Sequence, residues 1–158
     1  MFGWIILGIL VVLVVFVIGL YNRLVQLRNR VKNAFAQIDV QLTRRHDLIP
    51  NLVNAVKGYM EFEQDVLTRV TEARANAVAA GAQGTVTEQQ VQAENVLSGA
   101  LRSLFAVVEN YPELKANENV LALQEQLTTT ENQISFSRQH YNAMVNDYIT
   151  TLQTIPSV

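Results

Sequence analysis

The two histidines are the side chains of this sequence best suited to acid–base or metal chemistry. His46 adjoins Asp47, a pair that could relay a proton or contact a metal ion, and His140 lies far along the chain. A di-iron site in a helical bundle requires Glu three residues before a ligating His, but those positions hold Thr43 and Ser137. We therefore interpret His46–Asp47 as a helix end with a capping carboxylate, and we predict no metal site.

Other catalytic signatures are absent from the sequence. It has no HExxH, GxGxxG, GxxxxGK[ST] or GxSxG motif and no cysteine. The acidic residues Glu61, Glu63 and Asp65 cluster, but alternate residues on a helix do not face each other. The sequence therefore predicts a protein that is not an enzyme and that needs no cofactor.

The first 22 residues carry no charged side chain. Phe2 to Tyr21 are twenty residues, about the length of a helix that crosses a ~30 Å hydrocarbon core. A cleaved signal peptide is disfavoured, because there is no basic segment before the apolar run and no small-x-small site after it. The residues predicted to form the membrane anchor are Trp4, Leu7, Leu10, Leu13, Phe16, Leu20 and Tyr21.

Four basic residues follow this segment before the first acid, Asp39; they are Arg23, Arg28, Arg30 and Lys32. Basic residues beside a membrane span favour the cytoplasmic side, so we predict an outside N-terminus and a cytoplasmic domain. Residues 1–50 carry a net charge of +4 and the remainder −6. This asymmetry favours contact with membrane lipid and argues against nucleic-acid binding.

Apolar residues beyond the anchor recur at helical spacing. The first stripe is Leu24, Leu27, Val31, Ala34, Ile38 and Leu42, and the pattern resumes as Ile49, Leu52, Val56, Tyr59, Phe62, Val66 and Val70. Arg45 stands where the stripe requires an apolar residue. Because Pro50 belongs in a first helical turn, we predict a helix break there, with Asp47 as the cap of the next helix.

The rest of the chain predicts two further helices. Ala79–Gly84 marks a loop, and Thr85–Glu88 fits a capping box at the start of the third helix. The predicted apolar stripe of that helix is Ala93, Leu97, Leu101, Leu104 and Val108. Tyr111-Pro112 ends the helix, and Asn117 or Asn119 caps the fourth. The sequence thus predicts an all-α protein, with an anchor at residues 1–21 and an antiparallel four-helix bundle at residues 22–158. The alternative has three long helices, the first continuous and kinked near Pro50.

A second, polar stripe accompanies the apolar one on the first helix. This amide row consists of Asn22, Gln26, Asn29, Asn33, Gln37 and Gln41, with a similar set at Asn132, Gln139, Asn142, Asn146 and Gln153. One interpretation is a solvated surface. The other is a polar interface that fixes register between helices or subunits, as buried Asn does in coiled coils.

Two segments resemble the LemA family of bacterial membrane proteins. They are YNRLVQLRNRVKNAFAQIDVQLTRRHDLIPNLVNAVKGYMEFE, residues 21–63, and ENYPELKANENVLALQEQLTTTEN with SRQHYNAMVNDYITTLQ, residues 109–132 and 137–153. With the anchor, the resemblance covers nearly the whole chain. It implies one N-terminal membrane helix, a cytoplasmic four-helix bundle and no known catalytic residues.

Two functional hypotheses follow. In the first, the protein is a non-enzymatic scaffold at the bacterial inner membrane, which forms a homo-oligomer and contacts lipid. In the second, it is a monomeric cytoplasmic adaptor or sensor that binds another protein. The acidic distal half and a turn at Arg44–Asp47 would then form the contact surface.

Overall fold

A computed structural model describes residues 2–60, 62–82 and 87–154. All regular secondary structure in these residues is helical, as the sequence predicts. The helices are α1 (Phe2–Lys57), α2 (Gln64–Gly81), α3 (Glu88–Val108), α4 (Pro112–Lys115) and α5 (Glu118–Gln153). The described residues form two compact units. One combines the residues up to Asp39 with those from Ser135 onward, and the other is Val40–Ile134.

The helix α1 is long, and its N-terminal part is apolar enough to cross a membrane. None of its most apolar 18-residue window is buried within the protein. The β-branched residues of this segment favour strands in water, but in lipid a helix satisfies every backbone group within its own segment. The segment predicted as a membrane anchor is therefore helical in the structure and is a candidate membrane span.

The predicted helix break at Asp47 and Pro50 is wrong. Helix α1 continues through both residues and ends at Lys57, so the first helix is continuous, as in the alternative architecture. Proline lacks the N–H that would bond to the carbonyl four residues earlier, here that of His46. The Nε of Arg74 in α2 donates to the His46 carbonyl oxygen at 2.6 Å instead. A side chain from another helix thus replaces the missing backbone donor.

The chain turns between Lys57 and Gln64, a break that the periodicity of the sequence does not show. Gly58 follows Lys57, and glycine is a poor helix former. The turn is held by hydrogen bonds from the N–H groups of Tyr59 and Met60 to the Val56 carbonyl. Met60 is fully buried, so the turn is fixed to the core.

The core of the unit Val40–Ile134 draws on all five helices. It comprises Ile49, Leu52, Val56, Met60, Leu67, Val70, Ala73, Ala77, Leu97, Leu101, Leu104, Val108, Leu114, Val120 and Leu127. The core members are three or four residues apart on α1, α2 and α3 and seven apart on α5, and both spacings are those of one helical face. Helices α2 and α3 are in direct contact.

The helix starts of α3, α4 and α5 have clear local causes. The side chain of Thr87, not Thr85, caps α3 by accepting from the Gln90 N–H at 3.1 Å. Residues 83–86 lie outside the described part of the chain. Pro112 occupies the first turn of α4, where its missing N–H is harmless. The carbonyl oxygen of the Asn117 side chain accepts from the Asn119 and Val120 N–H groups, which confirms Asn117 as the cap of α5.

Candidate functional site: a buried ionic cluster

Arg45 is a buried cation in the apolar face of α1. Its side chain is 1% exposed and lies in the buried row between Leu42 and Ile49. A guanidinium remains protonated in proteins, so it cannot escape burial by losing its charge. Removing such a charge from water is costly unless it is paired and hydrogen-bonded, so the surrounding helices must supply anions.

Two carboxylates and one hydroxyl surround the guanidinium. Nη2 of Arg45 pairs with Oε2 of Glu94, whose side chain is 1% exposed. Nη1 pairs with Oε2 of Glu131 and also donates to Oγ of Ser98 at 2.8 Å. The Ser98 hydroxyl donates to Oε1 of Glu131, also at 2.8 Å. One arginine of α1 is therefore joined to two residues of α3 and one of α5.

His46 extends this group toward the protein surface. Its Nε2 lies 3.1 Å from Oε1 of Glu94, within hydrogen-bond reach when that nitrogen carries a proton. Without that proton, both atoms are buried with no hydrogen-bond partner among the described residues. We call Arg45, His46, Glu94, Ser98 and Glu131 the Arg45 cluster. Its net charge is −1 with a neutral His46 and zero with a protonated one.

The carboxyl group of Glu94 is held in its ionised form. Burial by itself raises the pKa of this carboxyl group. Hydrogen bonding to His46 and the positive charges of Arg45 and His46 oppose burial and outweigh it, so the pKa of Glu94 lies below its ordinary value. The cluster therefore contains a buried ion pair under neutral conditions.

The geometry of the cluster favours a structural role over catalysis. The Ser98 hydroxyl bonds to Arg45 and Glu131, whereas His46 faces Glu94. No serine–imidazole pair of the kind that activates a nucleophile is formed. The described part of the chain also contains no group of three or more His, Asp or Glu placed to hold a metal ion.

The cluster lies within the segment that is shared with a known protein family. The family model of the LemA family matches residues 34–158. The chain belongs to the LemA family. It is 24% identical over 137 residues to protein LemA of Metamycoplasma hominis, and the match covers 87% of this chain and 61% of that protein.

Two magnetosome proteins are also similar to this LemA-family chain. Magnetosome protein MamQ 2 of Paramagnetospirillum magneticum is 24% identical, and magnetosome protein MamQ of Magnetospirillum gryphiswaldense is 23% identical, each over 150 residues. Each match covers 81% of this chain and 55% of the relative. The chain thus spans between about half and three-fifths of the length of these relatives.

The structure places the predicted anchor and basic residues at the surface. All predicted anchor residues are exposed except Leu20, which is half-buried, and Arg23, Arg28, Arg30 and Lys32 are exposed. In the amide row, the residues from Asn22 to Gln37 are exposed and Gln41 is half-buried. An exposed row is available for contact with another molecule. Its use as an oligomer interface stays a prediction.

The predicted roles of the residues around His46 change. Asp47 is exposed within α1 and caps no helix, and Pro50 is half-buried within the same helix. Arg45 is buried, so Arg44–Asp47 form neither a turn nor the continuous contact surface that the adaptor hypothesis requires. Glu61, part of the acidic group in that hypothesis, lies outside the described residues. His140 is exposed on α5.

The sequence marks Arg45 as a charged residue in an apolar stripe, but it does not identify the residues that pair with it. Gln90 and Glu94 precede Leu97 and Leu101 at spacings of four, three and four, and all four are buried on one face of α3. The stripe assigned to this helix from the sequence uses Ala93, which is half-buried, in place of Glu94. One feature of the sequence could have indicated the pair. Arg45 and Glu94 are oppositely charged residues, and each lies in line with the apolar residues of its own helix.

Proposed function

We propose that this protein is a non-enzymatic, single-pass membrane protein that self-associates and organises the bacterial inner membrane or proteins within it. The observation that carries the proposal is the fully exposed apolar segment at the start of α1. An exposed apolar helix of this length is costly in water and stable in a bilayer. The same helix later supplies Arg45 to the buried cluster.

The proposed topology has the N-terminus outside and the helical domain, residues 22–158, in the cytoplasm. Four basic residues follow the anchor, whereas residues 1–22 carry no charge. Basic residues beside a membrane span favour the cytoplasmic side, which supports this orientation. We further propose that the domain is an antiparallel four-helix bundle. A core that combines residues of α1, α2, α3 and α5 supports this arrangement.

Self-association is supported by the exposed amides. Amide side chains donate and accept hydrogen bonds without the repulsion that like charges would cause between identical surfaces. Charged residues make up only 16% of the sequence, below the roughly 25% of ordinary soluble domains. The names of the relatives, protein LemA and magnetosome protein MamQ, state no reaction.

Lysines introduced into the amide row test the proposed interface. The variant Asn29→Lys/Asn33→Lys/Gln37→Lys places three like charges on each copy, so assemblies should dissociate toward monomers. Native mass spectrometry of the full chain released from nanodiscs gives the copy number, since each chain contributes 17.7 kDa.

The matched control places the same charges on exposed amides outside the row, as Gln89→Lys/Gln92→Lys/Gln126→Lys. We expect this variant to retain the wild-type copy number. A wild-type protein that is monomeric in nanodiscs would refute self-association. A monomer would be the result expected of the adaptor hypothesis.

A further inference from the structure

A cleft lies just beyond the predicted membrane span, in the unit that contains the N-terminal part of α1 and the C-terminal part of α5. Its volume is about 490 Å³. Ligand sites commonly measure roughly 300–1,000 Å³. The residues that line the cleft are Arg23, Gln26, Leu27, Arg30, Asp147, Thr150 and Thr151. We call this site the juxtamembrane cleft.

Two of the four basic residues that follow the predicted membrane span line the juxtamembrane cleft. Arg23 and Arg30 line it, whereas Arg28 and Lys32 do not. Residues seven apart on a helix lie on one side, two turns apart. In the described part of the chain, neither arginine has a carboxylate within 4.0 Å. Both guanidinium groups are therefore available to an anion.

The end of the juxtamembrane cleft nearest the membrane span lies at the depth of the headgroup layer of a bilayer. Arg23 lies two residues beyond Tyr21, about 3 Å along the helix axis, and Arg30 lies nine residues beyond Tyr21, about 14 Å along the axis. The polar layer on each side of the hydrocarbon core is roughly 5–7 Å thick. Side chains of a helix lean toward its N-terminus, so Arg30 leans back toward the membrane. Lipid phosphates lie in this layer.

The charges of the lining define the ligand more closely. Arg23, Arg30 and Asp147 give a net charge of +1, which one phosphodiester neutralises. Arginine forms strong hydrogen bonds to phosphate oxygens. Asp147 can only accept hydrogen bonds when ionised, so it favours a headgroup with a donor beside the phosphate. A headgroup that carries hydroxyl groups meets this requirement.

We propose that the juxtamembrane cleft binds the headgroup of a monoanionic glycerophospholipid with hydroxyl groups, the chemistry of phosphatidylglycerol. The phosphate lies between Arg23 and Arg30, and a headgroup hydroxyl donates to Asp147. The inference rests on the proposed membrane anchoring, because only a chain inserted in a bilayer presents the cleft to lipid.

Lipid retention by the inserted full chain tests the site. The protein is placed in nanodiscs of equal parts phosphatidylglycerol and phosphatidylcholine, and native mass spectrometry counts the lipids that stay bound. The wild type should retain phosphatidylglycerol preferentially. Arg23→Gln/Arg30→Gln should lose on the order of tenfold in this preference, as expected for lost hydrogen bonds to a charged group. Arg28→Gln/Lys32→Gln has the same change in net charge and should stay within about threefold of the wild type.

Equal losses in the two double variants would overturn the site, since they would indicate only general attraction to an anionic surface. Displacement of the bound lipid by millimolar inorganic phosphate would overturn the lipid assignment in favour of a soluble anion. Failure of the chain to enter nanodiscs would refute the proposed anchoring itself. A chain that inserts but shows no lipid preference would refute the cleft alone.

A second arm tests the role assigned to Asp147. Phosphatidylethanol is also a monoanionic phosphodiester but has no headgroup hydroxyl, so the wild type should prefer phosphatidylglycerol to it. Asp147→Ala should remove that preference while both lipids still bind. Equal binding of the two lipids by the wild type would contradict the contact with Asp147.

Discussion

At the scale of single residues, the Arg45 side chain links three helices of the unit Val40–Ile134. Its guanidinium contacts Glu94 and Ser98 of α3 and Glu131 of α5. A buried ion pair adds little stability over a well-packed apolar core, but removal of one partner leaves an uncompensated charge. We therefore interpret the Arg45 cluster as a device that selects one register among these helices.

Replacement of Arg45 should strongly destabilise the domain. In Arg45→Met, the Glu94 carboxylate stays buried without its cation, which costs about 3–5 kcal/mol. Urea unfolding of the full chain in detergent micelles measures the free energy of unfolding. The neighbouring Arg44 is exposed, so Arg44→Met should change this free energy by less than about 0.5 kcal/mol. Similar values for the two variants would contradict the assigned role.

The lowered pKa of Glu94 makes part of the stability dependent on pH. The pKa of Glu94 is lower in the folded state than its ordinary value of 4.5. The ionised carboxylate therefore stabilises the fold fully at pH values above 4.5, and this stabilisation is lost as the pH falls through the folded-state pKa. Glu94→Gln should therefore have a lower Tm than the wild type at pH 7. The difference should narrow below about pH 4.5.

The control for this experiment is Glu125→Gln, which removes an exposed carboxylate from α5. Its Tm should follow that of the wild type across the same pH range. Thermal unfolding followed by circular dichroism at each pH gives the Tm of the wild type and of the two variants. A Glu94→Gln deficit that stays constant from pH 7 to pH 3 would show that this carboxylate is not held ionised by the fold.

The sequence shows that Arg45 interrupts an apolar stripe, but it does not show which acidic residues pair with Arg45. A cation in an apolar stripe requires buried anions, yet fourteen acidic residues are available. To identify Glu94 as the partner, one must know which face of α3 is turned toward the core. A stripe through Ala93 gives a face that is rotated by one residue from the buried one. Glu131 adjoins the buried Thr130 and is 39% exposed, so periodicity alone indicates a surface residue.

At the scale of helices, Arg74 keeps α1 continuous at Pro50. A proline inside a helix costs about 3 kcal/mol, in part because one carbonyl loses its donor. The Arg74 side chain of α2 supplies that donor to the His46 carbonyl. The burial of Ile49, Leu52 and Val56 on the same face further stabilises the helical path.

A double-mutant cycle tests this explanation. Arg74→Met leaves the His46 carbonyl without its donor and should cost about 1–3 kcal/mol. In a Pro50→Ala background, residue 50 again has an N–H for that carbonyl. The same Arg74 substitution should then cost less than about 0.5 kcal/mol. Urea unfolding of the four proteins gives the coupling, and additive effects would contradict the compensation.

The all-helical class is predictable from the sequence, while one helix boundary and the short helix α4 are not. Hydrophobic spacing and the cap at Asn117 predicted α3 and α5 because these signals are local. The sequence predicts the first helix boundary after the anchor at Pro50, because proline is a stronger local signal for a break than Gly58. The actual turn at Gly58 is packed into the core through Met60, and the Arg74 side chain bonds to the carbonyl that Pro50 leaves without a donor. Both are contacts between distant parts of the chain.

At the scale of the whole molecule, one helix carries both the candidate membrane span and a share of the domain core. The composition, with an uncharged start and a basic flank, was sufficient to predict the membrane segment. Self-association is not encoded in such a local pattern. The exposed amide row is consistent with a solvated surface and with an interface, since both require accessible polar side chains.

Disulfide cross-linking between copies in the native membrane shows whether the amide row lies at an interface between two chains. The sequence has no cysteine, so Asn33→Cys introduces the only thiol of the chain, and Gln92→Cys is the exposed control on α3. We expect mild oxidation of isolated membranes to yield a dimer of Asn33→Cys, while Gln92→Cys stays monomeric. A monomeric Asn33→Cys, or equal cross-linking of the two variants, would contradict an interface at the amide row.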